Sequence, residues 1–142
     1  MKKNKSVFLK NKPFFNYGNG FKGVNNKMAY VIIFYGINQI NLAFDKDKTA
    51  LNETEKKEFE KLVKDLVVFK REIAEDSRCS GEEFEEFLEN LFANVDDEDR
   101  YGEVSNKTVS SFRLVSELID ILSNWGSIPD TWAKRSNCLF IK

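Results

Sequence analysis

Residues 52–76 leave little choice of local structure. They open with Asn-Glu-Thr-Glu, a capping box in which Asn52 can accept from the Glu55 backbone N–H while the Glu55 side chain reaches back. Phe59, Leu62, Val63, Leu66, Phe69 and Ile73 follow at spacings of three and four, so they share one face of a helix. Glu53 with Lys57, and Glu60 with Lys64, stand one turn apart on the outer face. No stretch of the chain shows the strict alternation of a half-buried strand. An amphipathic helix without a sheet must bury its stripe against other helices, so the expected class is all-α.

The rest of the chain fits that frame. Residues 26–44, "NKMAYVIIFYGINQINLAF", are apolar almost all round and read as a buried central helix. A membrane span is the competing reading, but the apolar run Met28–Ile37 is about half the ~20 residues a bilayer needs, and Asn38, Gln39 and Asn41 interrupt its continuation. A second amphipathic helix is expected over 80–94, capped by Ser80, with Phe84, Phe87, Leu88, Leu91 and Phe92 as its stripe. Residues 95–103 read as a turn. Residues 104–125 read as a further helix through Val109, Phe112, Val115, Leu118, Ile119, Leu122 and Trp125, stopped by Gly126. The last helix is expected to restart at Ser127-Ile-Pro-Asp, with Ser127 as cap, Pro129 in the first turn and Asp130 at N3. The head, residues 1–25, is the poorly defined part. Pro13 and the glycines at 18, 20 and 23 disfavour a continuous helix, which leaves a short helix or a loop. Five or six helices with short connections make antiparallel neighbours.

Apolar residues are 42% of the chain and include 13 Phe, enough for a real core. Charge is unevenly spread. Residues 1–50 hold nine Lys against two Asp, whereas residues 51–103 hold eight bases against eighteen acids. An acidic middle suits a basic partner. The chain has no histidine, which removes the usual general base near neutral pH and the commonest zinc ligand. Cys79 and Cys138 have no CxxC spacing, and Lys10, Asn11, Lys12 and Pro13 break any signal-peptide core, so a reduced intracellular compartment is the default. Cys79, between Arg78 and Ser80, lacks a histidine or a second nearby cysteine that would make it a reactive thiol. The head lysines lack the interleaved register of a nucleic-acid-reading helix. No phosphate-binding glycine motif is present.

The acidic cluster "DDEDRYG" at 96–102 is the one candidate for metal chemistry. Aligned to a calcium loop starting at Asp97, it supplies Asp99 at position 3, Gly102 at position 6 and Val104 at position 8. Position 5 is Tyr101 and position 12 is Thr108, so the closing bidentate acid is missing. Adjacent acids in an exposed turn would all stay ionised, which does not suit acid–base catalysis. The residues predict no catalytic group, no metal and no cofactor. A degenerate, EF-hand-like calcium-responsive helix pair and a small membrane-anchored helical protein remain as alternative readings. Physics alone reaches a helical interaction module whose acidic face and apolar grooves would receive a basic amphipathic helix.

Residues 96–128 add a resemblance. Asp96, Glu98, Asp99, Arg100 and Gly102 form an Asx-x-Glu-Asp-Arg-x-Gly pattern. Ser111 and Phe112 follow, then Leu118, Ile119, Asp120 and Leu122, then Trp125 and Gly126. This order resembles the family with the Vta/callose-synthase N-terminal domain, and Ala29, Tyr30 and Tyr35 match its Ala-Tyr-Tyr helix. The resemblance implies an antiparallel bundle of two packed MIT-like three-helix modules, here residues 1–76 and 77–142. It implies a non-enzymatic adaptor that grips C-terminal helical tails of ESCRT-III subunits and regulates AAA ATPase-driven ESCRT-III disassembly in multivesicular-body sorting. Such an adaptor would be cytoplasmic, recruited to endosomes with at most peripheral membrane association, and would not bind nucleic acid. Contact with the ATPase is expected only through a C-terminal domain that these residues do not include. The chain departs from the family at Pro13 and "GNGFKG", where a first helix is expected over roughly 8–24, and at Cys138–Ile141, where a basic-aromatic tail is expected.

Two sets of residues follow. For the partner groove the expectation is Tyr30 and Phe34 with Glu60, Asp65 and Leu66, of which the last three rest on periodicity alone. In the second module Asp99 and Arg100 are expected to orient a turn, while Phe112 and Ile119 build core.

Overall fold

The computed structural model describes residues 6–73, 79–101 and 106–141, with side chains at 6–73, 79–94 and 113–135. Six α-helices and one 3₁₀ segment make up these residues, with no strand among them, so the fold is an all-α helical bundle. The chain forms two compact units, Met1–Arg78 and Cys79–Lys142.

The head of the first unit corrects the expectation of a broken or missing helix. Helix α1 runs without interruption over Val7–Phe21, with Pro13 inside it. Ser6 caps it, its hydroxyl accepting from the Leu9 N–H at 3.2 Å. Pro13 removes the bond that would reach the Leu9 carbonyl, but Leu9 lies on the exposed side, where water can replace the donor. Gly18 is there for packing. A Cβ built on it would stand 2.3 Å from Ile33 Cγ1 on helix α2, Asn26–Lys46. Gly36 of α2 answers it: a Cβ there would meet Phe15 Cε1 at 2.9 Å. One glycine on each helix thus lets α1 and α2 approach closely, and this contact offsets the weak helix propensity of glycine. Gly23, at φ 85°, ends the turn between the helices, and Asn25 caps α2.

Helix α2 is buried over most of its circumference, as its composition predicts. Ala29, Ile33, Ile37 and Ile40 join Phe8, Phe15, Leu66 and Phe69 in the core of the first unit. No helix among the described residues is long and apolar enough to cross a membrane. Helix α3 spans Glu53–Glu72 and begins with the expected capping box, Asn52 Oδ1 accepting from Glu55 N at 2.8 Å and Glu55 Oε1 from Asn52 N at 3.1 Å. Its outer face differs from the expectation in detail. Glu53 pairs with Lys56 at 3.1 Å, not with Lys57, and Glu60 forms no ion pair with Lys64. Such exposed pairs contribute only a few tenths of a kcal/mol, so nothing in the core selects between them (~0.3–0.5). Lys56 lies over the Phe44 ring and Lys70 over the Tyr30 ring, which places α3 antiparallel to α2.

In the second unit, α4 spans Gly81–Tyr101, and Ser80 accepts from Glu83 N at 3.1 Å as its cap. The expected turn at 95–103 is therefore helical through Tyr101. No proline or glycine interrupts Val95–Tyr101, and the acids that suggested a turn disfavour a helix C-terminus only weakly. Helix α5 covers Asn106–Ile119 and tightens into a 3₁₀ segment, Asp120–Trp125, where one continuous helix was expected. Gly126 stops it at φ 130°. Helix α6 begins at Asp130, and the Pro129 carbonyl accepts from both Trp132 and Ala133 N–H at 3.0 Å. Pro129 thus stands at the cap position expected for Ser127, and the helix starts two residues later than expected. Phe84, Leu88, Val115, Leu118, Ile119 and Ile121 are fully buried.

Candidate partner-binding site

In the first unit α1 and α3 do not close on each other fully. Between them lies an open groove of about 430 Å³ with Phe8, Phe15 and Leu62 as its apolar lining. Lys12, Asn16 and Asn19 rim it from α1, and Glu58, Lys61 and Asp65 from α3. A smaller cavity of about 60 Å³ continues it past Ile33 and Leu66 to Lys22. Both ends are tied. At one end the Ser6 hydroxyl donates to Glu55 Oε2 at 2.7 Å. At the other the Lys22 ammonium lies 4.7 Å from the centre of the Phe69 ring. The result is an apolar trough with charges of both signs along its edges.

The opposite flank of α3 carries a different surface. Tyr30 and Phe34, one turn apart on α2, stack with ring centres 5.9 Å apart, and Phe34 is 46% exposed. Val63 and Val67 stand on the α3 flank shared with Lys70, whose ammonium covers Tyr30, and are 36% and 47% exposed. Four partly exposed apolar residues on one stretch of surface exceed the scatter of single exposed side chains.

The five groove residues expected from sequence are thus divided. Asp65 and Leu66 line the α1/α3 groove, whereas Tyr30 and Phe34 lie on the α2 flank of α3. Glu60 is exposed on α3 and lines neither cavity. Sequence reading missed the α1 wall, Phe8, Lys12 and Phe15. Phe8, Lys12, Phe15 and Asn19 recur at helical spacing and were the available signal, obscured by Pro13 and the glycines.

The motif residues of the second unit fare unevenly. Asp96, Glu98, Asp99 and Arg100 stand in α4, and the part that Asp99 and Arg100 were expected to play in a turn lies outside the described residues. Their side chains lie outside the described residues, as does Gly102. The helical backbone from Asp97 to Tyr101 also overturns the calcium-loop reading, since a calcium loop must wrap its ligands around the ion. Ser111 and Phe112 are in α5, again with side chains outside the described residues. Leu118 and Ile119 are buried. Asp120 opens the 3₁₀ segment, and although part of its surface reaches water, crowding by the protein raises its carboxyl above the usual range. At the other end of that segment, Trp125 packs on Phe84 with ring centres 5.5 Å apart and donates from Nε1 to the Cys79 carbonyl at 3.2 Å. The Cys79 thiol donates to the Ser80 carbonyl at 3.4 Å.

No curated protein matches the chain. A family model described as Vta1 like matches residues 11–141, a span that runs from within α1 to the end of α6, and the chain belongs to that family.

Proposed function

We propose that this protein is a non-enzymatic adaptor that binds C-terminal helical tails of ESCRT-III subunits and so regulates their disassembly by an AAA ATPase in multivesicular-body sorting. The observation that carries the reading is the Vta1-like match over residues 11–141. That family implies a regulatory adaptor role in the ESCRT pathway, with protein partners there. We read each unit as an MIT-like three-helix module, and recruitment to endosomes as following from tail binding.

The surface of the first unit suits such a ligand. An amphipathic helix presents apolar residues at three- and four-residue spacing, and the flank formed by Tyr30, Phe34, Val63 and Val67 offers a matching apolar strip. Glu60 stands on α3 to meet a basic residue, and Lys70 to meet an acidic one. Titration of the chain with C-terminal tail peptides tests this, by calorimetry or fluorescence anisotropy. Binding of roughly micromolar strength is expected, lost by at least about tenfold in Phe34→Asp and Val67→Asp. If Asp65→Lys abolishes binding instead, the tail lies in the α1/α3 groove. If no tail binds below about 100 μM, the adaptor reading fails.

A further inference from the structure

Lys70 stands at one end of the apolar strip on the α2 flank of α3. Its ammonium lies over the Tyr30 ring, 5.9 Å from the centre. The side chain is exposed and forms no ion pair among the described residues. Phe34, Val63 and Val67 continue the strip away from it, and beyond Lys70 the helix ends at Glu72. The described charges on this side are basic: Arg71 follows on α3, and Lys27 stands one turn before Tyr30 on α2. Glu72 is two residues from Lys70 and about 200° around the helix, so it turns away from the strip. Helix α2 has no acid before Asp45. The first turn of α2 and the last turn of α3 lie side by side here, so their dipoles offset each other. The other end of the strip is mixed, with Glu60 between Lys57 and Lys64 along α3.

An ammonium without an ion-pair partner at one end of an apolar strip gives a helical guest its direction. A helix ends in unpaired carbonyls that carry about half a negative charge, and the last residue of a chain adds a full carboxylate. The N-terminal end of the guest is positive and is repelled by Lys70. A guest with its C-terminus at Lys70 therefore runs parallel to α3. The Tyr30 face holds one side of the ammonium, and the remaining N–H donors are open to an incoming carboxylate. An internal helix offers the half charge without the carboxylate. We propose that Lys70 binds the free α-carboxylate of the guest, an inference that rests on a helical tail occupying this flank. The surface then selects the ends of chains over internal helices.

The test is fluorescence anisotropy of ESCRT-III C-terminal tail peptides, labelled at their N-termini and titrated with the full chain at roughly 0.1 M salt. Each peptide is made twice, with a free C-terminal carboxylate and as the C-terminal amide. The amide is expected to bind at least about threefold more weakly. Lys70→Met keeps an apolar stem over Tyr30 and removes the charge, so it should bind the two forms equally, and Lys70→Glu should prefer the amide. Lys61→Met, on the α1 side of α3, should keep the preference of the parent. Circular dichroism shows whether each variant keeps its helices. Equal binding of the two forms by the parent overturns the proposal and leaves the tail reading standing. So does a preference that survives in Lys70→Met. If neither form binds, the tail reading fails and the carboxylate site fails with it.

Discussion

The Ser6 hydroxyl donates to the Glu55 carboxylate at 2.7 Å, and through this bond one acid serves two helix N-termini. Glu55 Oε1 accepts from the Asn52 N–H in the α3 capping box, and Oε2 accepts from the residue that caps α1. Positive ends of two helix dipoles therefore face one negative group. Glu55→Ala removes both functions and is expected to destabilise the chain by about 1–2 kcal/mol. Ser6→Ala should cost about 1 kcal/mol, and the double variant less than the sum. Urea unfolding followed by circular dichroism measures all three, and strict additivity would show that the bond carries no coupling.

Gly18 and Gly20, two residues apart on α1, should respond to alanine with opposite signs. At Gly18 the new methyl stands 2.3 Å from Ile33 Cγ1 and 3.2 Å from the Ala29 carbonyl, so α1 and α2 must part. The expected loss is about 1–3 kcal/mol. At Gly20 nothing lies within 4 Å, and a better helix former should stabilise by about 0.5–1 kcal/mol. Melting temperatures moving in the same direction for both would contradict the close approach of the two helices.

Asp120 sets a pH dependence. Its carboxyl is raised above the usual 3.8 by desolvation. Between the unfolded and the folded pKa the folded chain holds more protons than the unfolded one, so stability falls as pH rises through that window. Asp120→Asn removes the group that must ionise. The variant should be more stable than the parent at neutral pH, and the difference should vanish below pH 3.8. Thermal melts over that range check it.

Trp125 holds the start of α4. Its ring lies on Phe84, its Nε1 reaches the Cys79 carbonyl, and its Cβ and Cγ fill the space beside Gly81, where a Cβ would come within 3.2 Å. Trp125→Ala should destabilise by about 1–3 kcal/mol, less than a fully buried tryptophan because the ring is 39% exposed. Amide hydrogen exchange should rise first at residues 81–84, and unchanged exchange there would separate the tryptophan from the helix start.

What could be read from the chain in advance depended on how local the cause was. The α3 capping box is decided within a few residues and stands as expected; of the stripe Leu66, Phe69 and Ile73 are buried, Ile73 as the C-cap of a helix that ends at Glu72, while Val63 is exposed. Gly126 ends its segment for a local reason as well. The continuity of α1 was hidden because Gly18 answers to Ile33, fifteen positions away, and propensity has no knowledge of that contact. The extension of α4 to Tyr101 was hidden because acids at a helix end oppose the dipole without forbidding the helix. The candidate site suffered most. The sequence grouped Tyr30 and Phe34 with Asp65 and Leu66 on one expected groove, but it could not tell that α3 separates the two pairs.

That separation makes α3 a party wall. Asp65 faces one compartment and Val67, two residues on and about 200° around the helix, faces the other. A guest that pulls α3 toward α2 draws it from α1, so filling one side changes the width of the other. Linkage makes such an effect mutual: whatever the first occupant does to the affinity of the second, the second does equally to the first.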